Sequence, residues 1–153
     1  MLIDKEAFMH QVMTSGRNKK LYCPCCGRLV HVYPRGLNSG MARFLLLLVS
    51  AYKKYPRFYS TRDLMPHDNK ACSDGTYLVH WGLIEKSDGT NSAMAPAGSY
   101  RPTEKGLRFA HGLERVPSHA HVIPPNTLVG WSDKTTDIKK ALGKKFNYDE
   151  LMR

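Results

Sequence analysis

Apolar residues recur at helical spacing over residues 4–14, where Phe8, Met9, Val12 and Met13 share one stripe, and Ser15-Gly16-Arg17-Asn18 reads as a stop. The β-forming run Leu29-Val30-His31-Val32-Tyr33 predicts a short strand ending at Pro34-Arg35-Gly36. Residues 39–54 predict the longest helix, with Ser39 as N-cap. Leu45, Leu48, Val49 and Tyr52 form one stripe there, and Phe44, Leu47 and Ala51 form a second. A helix apolar on nearly every side must be covered by neighbours. Phe58-Tyr59 suggests a short strand before a second helix, which Ser60 caps with Asp63 near N3 and Pro66 ends at about Met65. A third helix is expected over 71–82, with Ser73 and Asp74 as cap-type residues, Leu78 and Trp81 facing the core, and Gly82 as C-cap before the strand Leu83-Ile84-Glu85-Lys86. Residues 87–98 read as a loop, Ser99-Tyr100-Arg101 as a strand, and Thr103 as the cap of a helix running to about His111. In the tail, Ile138, Ala141 and Leu142 make an amphipathic stripe, and Asn147 and Glu150 resemble a capping box, so a helical extension is expected.

From residue 40 to residue 111 the expected order is helix, short helix, helix, strand, loop, strand, helix. This order resembles the winged helix-turn-helix superfamily. The segments carrying the likeness are Leu78-Val79-His80-Trp81-Gly82-Leu83-Ile84-Glu85 and Tyr100-Arg101-Pro102-Thr103-Glu104-Lys105-Gly106. The resemblance implies that the third helix ends at Gly82, that Leu83 and Ile84 lock the wing base onto the helices, and that Thr103 caps the helix after the hairpin. Pro102 departs from the usual aliphatic residue, which requires the second wing strand to end early or to lie at a sheet edge. Gly75 departs too, since glycine weakens a helix interior. The whole chain also resembles small uncharacterised proteins of phages and prophages. The fold class expected is α+β, with residues 1–36 forming an N-terminal helix and a cysteine knuckle, 37–113 the winged helix, and 114–153 the C-terminal extension.

With 23 Lys and Arg against 13 Asp and Glu, the formal charge is +10 and favours polyanionic partners. The excess is spread along the chain, so only the folded surface can gather a basic patch. Superfamily membership implies that the third helix can enter the major groove of duplex DNA. Its outward residues would be Lys70, Ser73, Thr76, Tyr77 and His80, with Arg43, Arg62 and Arg101 as phosphate contacts. Counting against strong base readout, the wing carries Asp88 and no Lys or Arg, and the third helix as read here has Asp74 and no Arg. The leading expectation is a DNA-binding protein of the transcription-regulator kind. The alternative is an adaptor that docks on a host or phage protein, because fold does not fix function.

Cys23-Pro24-Cys25-Cys26-Gly27 contains a C-x-x-C pair followed by glycine, the shape of a zinc knuckle. Completion could come from Cys25, His31, Cys72, His67 or the His119/His121 pair, none at diagnostic spacing; a metal-free knuckle and free thiols are the competing readings. A thioredoxin-type role would need a helix after the first cysteine, and the sequence reads as a strand there. No Ser-His-Asp order, phosphate loop or carboxylate pair stands out, so no enzymatic activity is expected; a thiol-redox or metal-dependent enzyme is the weakest alternative. The longest apolar run, Phe44 to Val49, is too short to span a bilayer, and with clustered cysteines and no signal peptide in view it favours the cytoplasm. The stripe Ile138, Ala141, Leu142, Phe146 and Leu151 would serve either the chain's own core or a homodimer contact.

Overall fold

The computed structural model describes residues 5–14, 21–89, 98–123 and 127–152, with elements of both helix and strand. Helix α1 spans Lys5–Thr14 and buries Val12, while the side chain of Met13 lies outside the described residues. The run expected as one strand divides into two. Strand β2 (Leu29–Val30) pairs antiparallel with β1 (Leu21–Tyr22), whereas β3 (Tyr33–Gly36) turns to a different partner far along the chain.

Helix α2 (Ser39–Lys54) is the central post of the fold. Its cap is Asn38 and not Ser39: the Asn38 side chain accepts from the Met41 N–H at 2.9 Å, leaving Ser39 as the first helical residue. Met41, Ala42, Phe44, Leu45, Leu46, Leu48 and Val49 are all buried, as a helix covered by neighbours requires. Strand β4 (Tyr59–Ser60) leads into α3 (Thr61–Leu64), where Ser60 and Asp63 form the reciprocal capping box read from the sequence. The third helical segment starts earlier than expected and changes pitch. Asp68 caps α4 (Asn69–Gly75) by accepting from the Ala71 N–H at 2.9 Å, so Ser73 and Asp74 lie inside the helix. A 3-10 turn, Thr76–Val79, continues it.

Gly82, at φ +69°, reverses the chain into β5 (Ile84–Lys86). Strand β6 (Ser99–Pro102) returns, and Thr103 caps α5 (Glu104–Ala110) by accepting from the Gly106 N–H at 3.0 Å. The sheet order is β4-β6-β5, all antiparallel, which makes β6 the central strand. Pro102 is tolerated because it is the last residue of β6, opposite Ile84, while β4 pairs only with Ser99 and Tyr100 and the proline lies past its end. Most of the loop expected over 87–98 falls outside the described residues. Leu78, Trp81, Leu83 and Ile84 sit in one core with the buried face of α2.

The C-terminal segment is not simply helical. It contributes β7 (Val116–Pro117), β8 (His119–Ile123), β9 (Thr127–Trp131) and β10 (Thr135–Thr136) before two short helices, α6 (Ile138–Leu142) and α7 (Tyr148–Leu151). β8 is the middle of a second antiparallel sheet, β3-β8-β9, with a bulge between His121 and Val122, and β7 pairs with β10. Periodicity missed β8 because Ala120, Val122 and Ile123 are buried beside polar histidines, a pattern too short to register. Trp81 ties the two halves together, donating its indole N–H to the Pro117 carbonyl at 2.7 Å and lying 5.4 Å from the ring of Trp131. Ile138 and Leu142 are buried in the shared core, and Ala141, Phe146 and Leu151 pack against it, so the stripe serves the chain's own interior.

Candidate nucleic-acid interface

Helix α3 and the start of α4 are joined by a tight turn and diverge to leave an open groove of about 500 Å³. Thr61 and Arg62 line it from α3, Asn69, Cys72 and Ser73 from α4, and Thr76 and Tyr77 from the 3-10 turn. Every lining residue carries a polar group, one is a cation, and none is acidic. The acidic side chains nearby are engaged: Asp63 is bound in its capping box, and Asp68 caps α4 and faces Arg43.

Of the residues expected at a DNA surface, Arg62, Ser73, Thr76 and Tyr77 meet in this groove. Lys70 instead lines a smaller cavity of about 240 Å³ beside Asn38, Gly40, Asp74 and Lys145. His80 stacks on Tyr77, the ring planes 6° apart and the centroids at 6.2 Å. Two expected phosphate contacts are occupied within the chain. Arg43 lies 3.7 Å from Asp68 and over the Phe146 ring, and Arg101 is paired with Glu85 and covers Phe58. At these partly exposed sites such pairs contribute little to stability.

Two members of the surface escaped the sequence reading. Asn69 did so because the helix was started at Ala71; the signal was Asp68, a cap-type residue directly before Asn69-Lys70. Arg35 did so because it lies on β3, far away in sequence. Its guanidinium carbon stands 3.8 Å from the Tyr77 ring centroid, and its Nη2 donates to the Tyr33 hydroxyl at 3.1 Å. Sequence spacing holds no signal for that contact, which the β3–β8 pairing creates.

The knuckle forms a separate feature. The turn between β1 and β2 closes with the Cys23 N–H donating to Arg28 at 2.7 Å and the Gly27 N–H donating to Cys23 at 2.8 Å, with Gly27 at φ +73°. Backbone N–H groups of Cys26 and Cys25, then the Cys26 side chain, direct hydrogen bonds at the Cys23 sulfur and hold its thiol below the ordinary cysteine range. Cys25 and Cys26 are exposed. Cys72 lies elsewhere: it is buried, and its thiol donates to the Met65 carbonyl at 3.1 Å. The His31 ring lies 5.7 Å from that of Tyr33, tilted by 45°, and its Nδ1 is buried without a hydrogen-bond partner among the described residues. Among the described residues, no group of three or more His, Cys, Asp or Glu side chains comes together as a metal-holding set, so none of the candidates Cys25, His31 and Cys72 is seen to complete the Cys23/Cys26 pair. No helix among these residues is long and apolar enough to cross a membrane. No protein-family model, curated protein or solved structure matches the chain.

Proposed function

We propose that this protein binds duplex DNA through a winged helix-turn-helix and acts as a regulator of the transcription-factor kind. The reading rests on one observation: the groove between α3 and α4 holds Arg62, Asn69, Ser73, Thr76 and Tyr77 and no carboxylate. The element order α2, β4, α3, α4, β5, β6, α5 and the sheet order β4-β6-β5 agree with it. In this mechanism α4 meets the major groove at its N-terminal end. Asn69, the first residue of α4, offers the donor and acceptor that pair with the N6 and N7 edge of adenine. Arg62 and the hydroxyls of Thr61, Ser73 and Thr76 contact phosphate and fix the register. Arg35 stiffens the rim by stacking on Tyr77.

Fluorescence anisotropy with a labelled random duplex tests this. Affinity should fall steeply as salt rises, because phosphate contacts release counterions. Arg62→Ala should weaken binding to all sequences and lower the slope of log K against log salt by about 1. Asn69→Ala should leave the slope unchanged and relax preference among sites once a preferred site has been selected. Absence of a complex at micromolar protein and low salt overturns the proposal and leaves protein docking as the alternative.

A further inference from the structure

We propose that Cys23 and Cys26 are half of a tetrahedral zinc site completed by the same two residues of a second copy of this chain. The knuckle is a closed turn that carries Cys23 and Cys26 three residues apart. Its turn is closed by two backbone hydrogen bonds, and Gly27 takes the left-handed conformation. Zinc bound structurally takes four ligands, and C-x-x-C supplies two.

No third ligand-type side chain among the described residues joins the pair in a metal-holding group. Cys72 is committed to the core beneath α3, bonded to the Met65 and Thr61 carbonyls. The residues outside the description, 1–4, 15–20, 90–97, 124–126 and 153, include only Asp4 as a ligand-type side chain. The knuckle is also free to meet a partner: residues 24–29 are all exposed. An exposed pair that needs an equivalent pair is self-complementary about a two-fold axis, the symmetry of most homodimers. Four thiols would lose their protons to solvent as the four zinc–sulfur bonds form, with no change in oxidation state. Dimeric winged helices place two reading helices on one duplex, so the site would also set the spacing of two half-sites if the DNA reading holds.

The test is metal titration of the reduced, full-length protein with zinc chloride, followed by elemental analysis and light scattering of the eluted species. The expected result is one zinc ion per two chains, a shift from monomer to dimer, and reversal by chelator. Cobalt in place of zinc should give the absorption of a tetrahedral tetrathiolate. Cys23→Ser and Cys26→Ser should each remove both the metal and the dimer, while Cys25→Ser keeps both. One zinc per monomer, or a reduced chain that takes up no zinc, overturns the proposal. Neither readout involves DNA, so failure here is distinct from failure of the DNA-binding reading.

Discussion

At the scale of single residues, glycines define where elements approach. A Cβ on Gly75 would stand 2.7 Å from the Phe44 ring, and one on Gly106 would overlap the Leu83 carbonyl oxygen. Gly75 therefore costs α4 helix propensity while allowing it to lie against α2, a trade invisible in the sequence, where the residue reads as a defect. The glycine of Glu104-Lys105-Gly106 lets the first turn of α5 seat on the chain entering β5. Gly106→Ala should destabilise the fold by about 2 kcal/mol or more, because a backbone carbonyl cannot rotate aside as a side chain can. Urea unfolding at neutral pH measures it, and a change below about 0.5 kcal/mol would contradict the packing described.

At the scale of elements, the short C-terminal helices are held by α2 and have little stability of their own. Helices α6 and α7 have five and four residues, below the length at which isolated helices form in water. Asp137 and Asn147 cap them, accepting from Lys140 and Glu150 N–H groups at 2.8 and 3.1 Å. Their apolar residues supply what the backbone lacks, and Ser50 on α2 donates a hydrogen bond to the Leu151 carbonyl. Leu142→Ala should cost about 3 kcal/mol, since the side chain is 1% exposed and its loss leaves a cavity against α2. Leu113→Ala, at a residue 76% exposed, should change stability by less than about 0.5 kcal/mol. Equal effects in a thermal melt would mean that the C-terminal helices are not part of the core.

At the scale of the whole molecule, the N-terminal and C-terminal segments are joined by hydrogen bonds across the β3–β8 pair, and Tyr148 ties α7 to α5 by donating to the Ala110 carbonyl at 2.5 Å. That bond requires a protonated phenol. Burial first, and then the charge of Asp149, raises the Tyr148 pKa above its ordinary 10.0, and burial raises that of Tyr100. Between the unfolded and folded values the native state keeps protons that the unfolded chain has lost. These tyrosines' share of stability is therefore fully present below about pH 10 and is lost as pH rises through the folded values. Tyr148→Phe should lose about 1 kcal/mol at neutral pH with the hydrogen bond and show a shallower alkaline decline. Denaturant midpoints measured from neutral to alkaline pH check both parts, and an unchanged decline would exclude Tyr148 as a source.

What the sequence determined by itself was local. The Ser60–Asp63 box, the Gly82 reversal, the Thr103 cap and the burial of Leu78, Trp81, Leu83 and Ile84 all follow from residues within a few positions of one another, where side-chain chemistry and periodicity act directly. Arg62, Ser73, Thr76 and Tyr77 were grouped only through the superfamily resemblance, since they lie on separate helical segments, and the structure brings them to one groove. Tertiary structure decided the rest. The partner of β3 is a strand with weak alternation, the stacking of Arg35 on Tyr77 depends on that pairing, and the engagement of Arg43 and Arg101 depends on where Asp68 and Glu85 come to lie. Strand pairing between distant segments and competition for a cation are set by three-dimensional proximity, and no short window of sequence contains it.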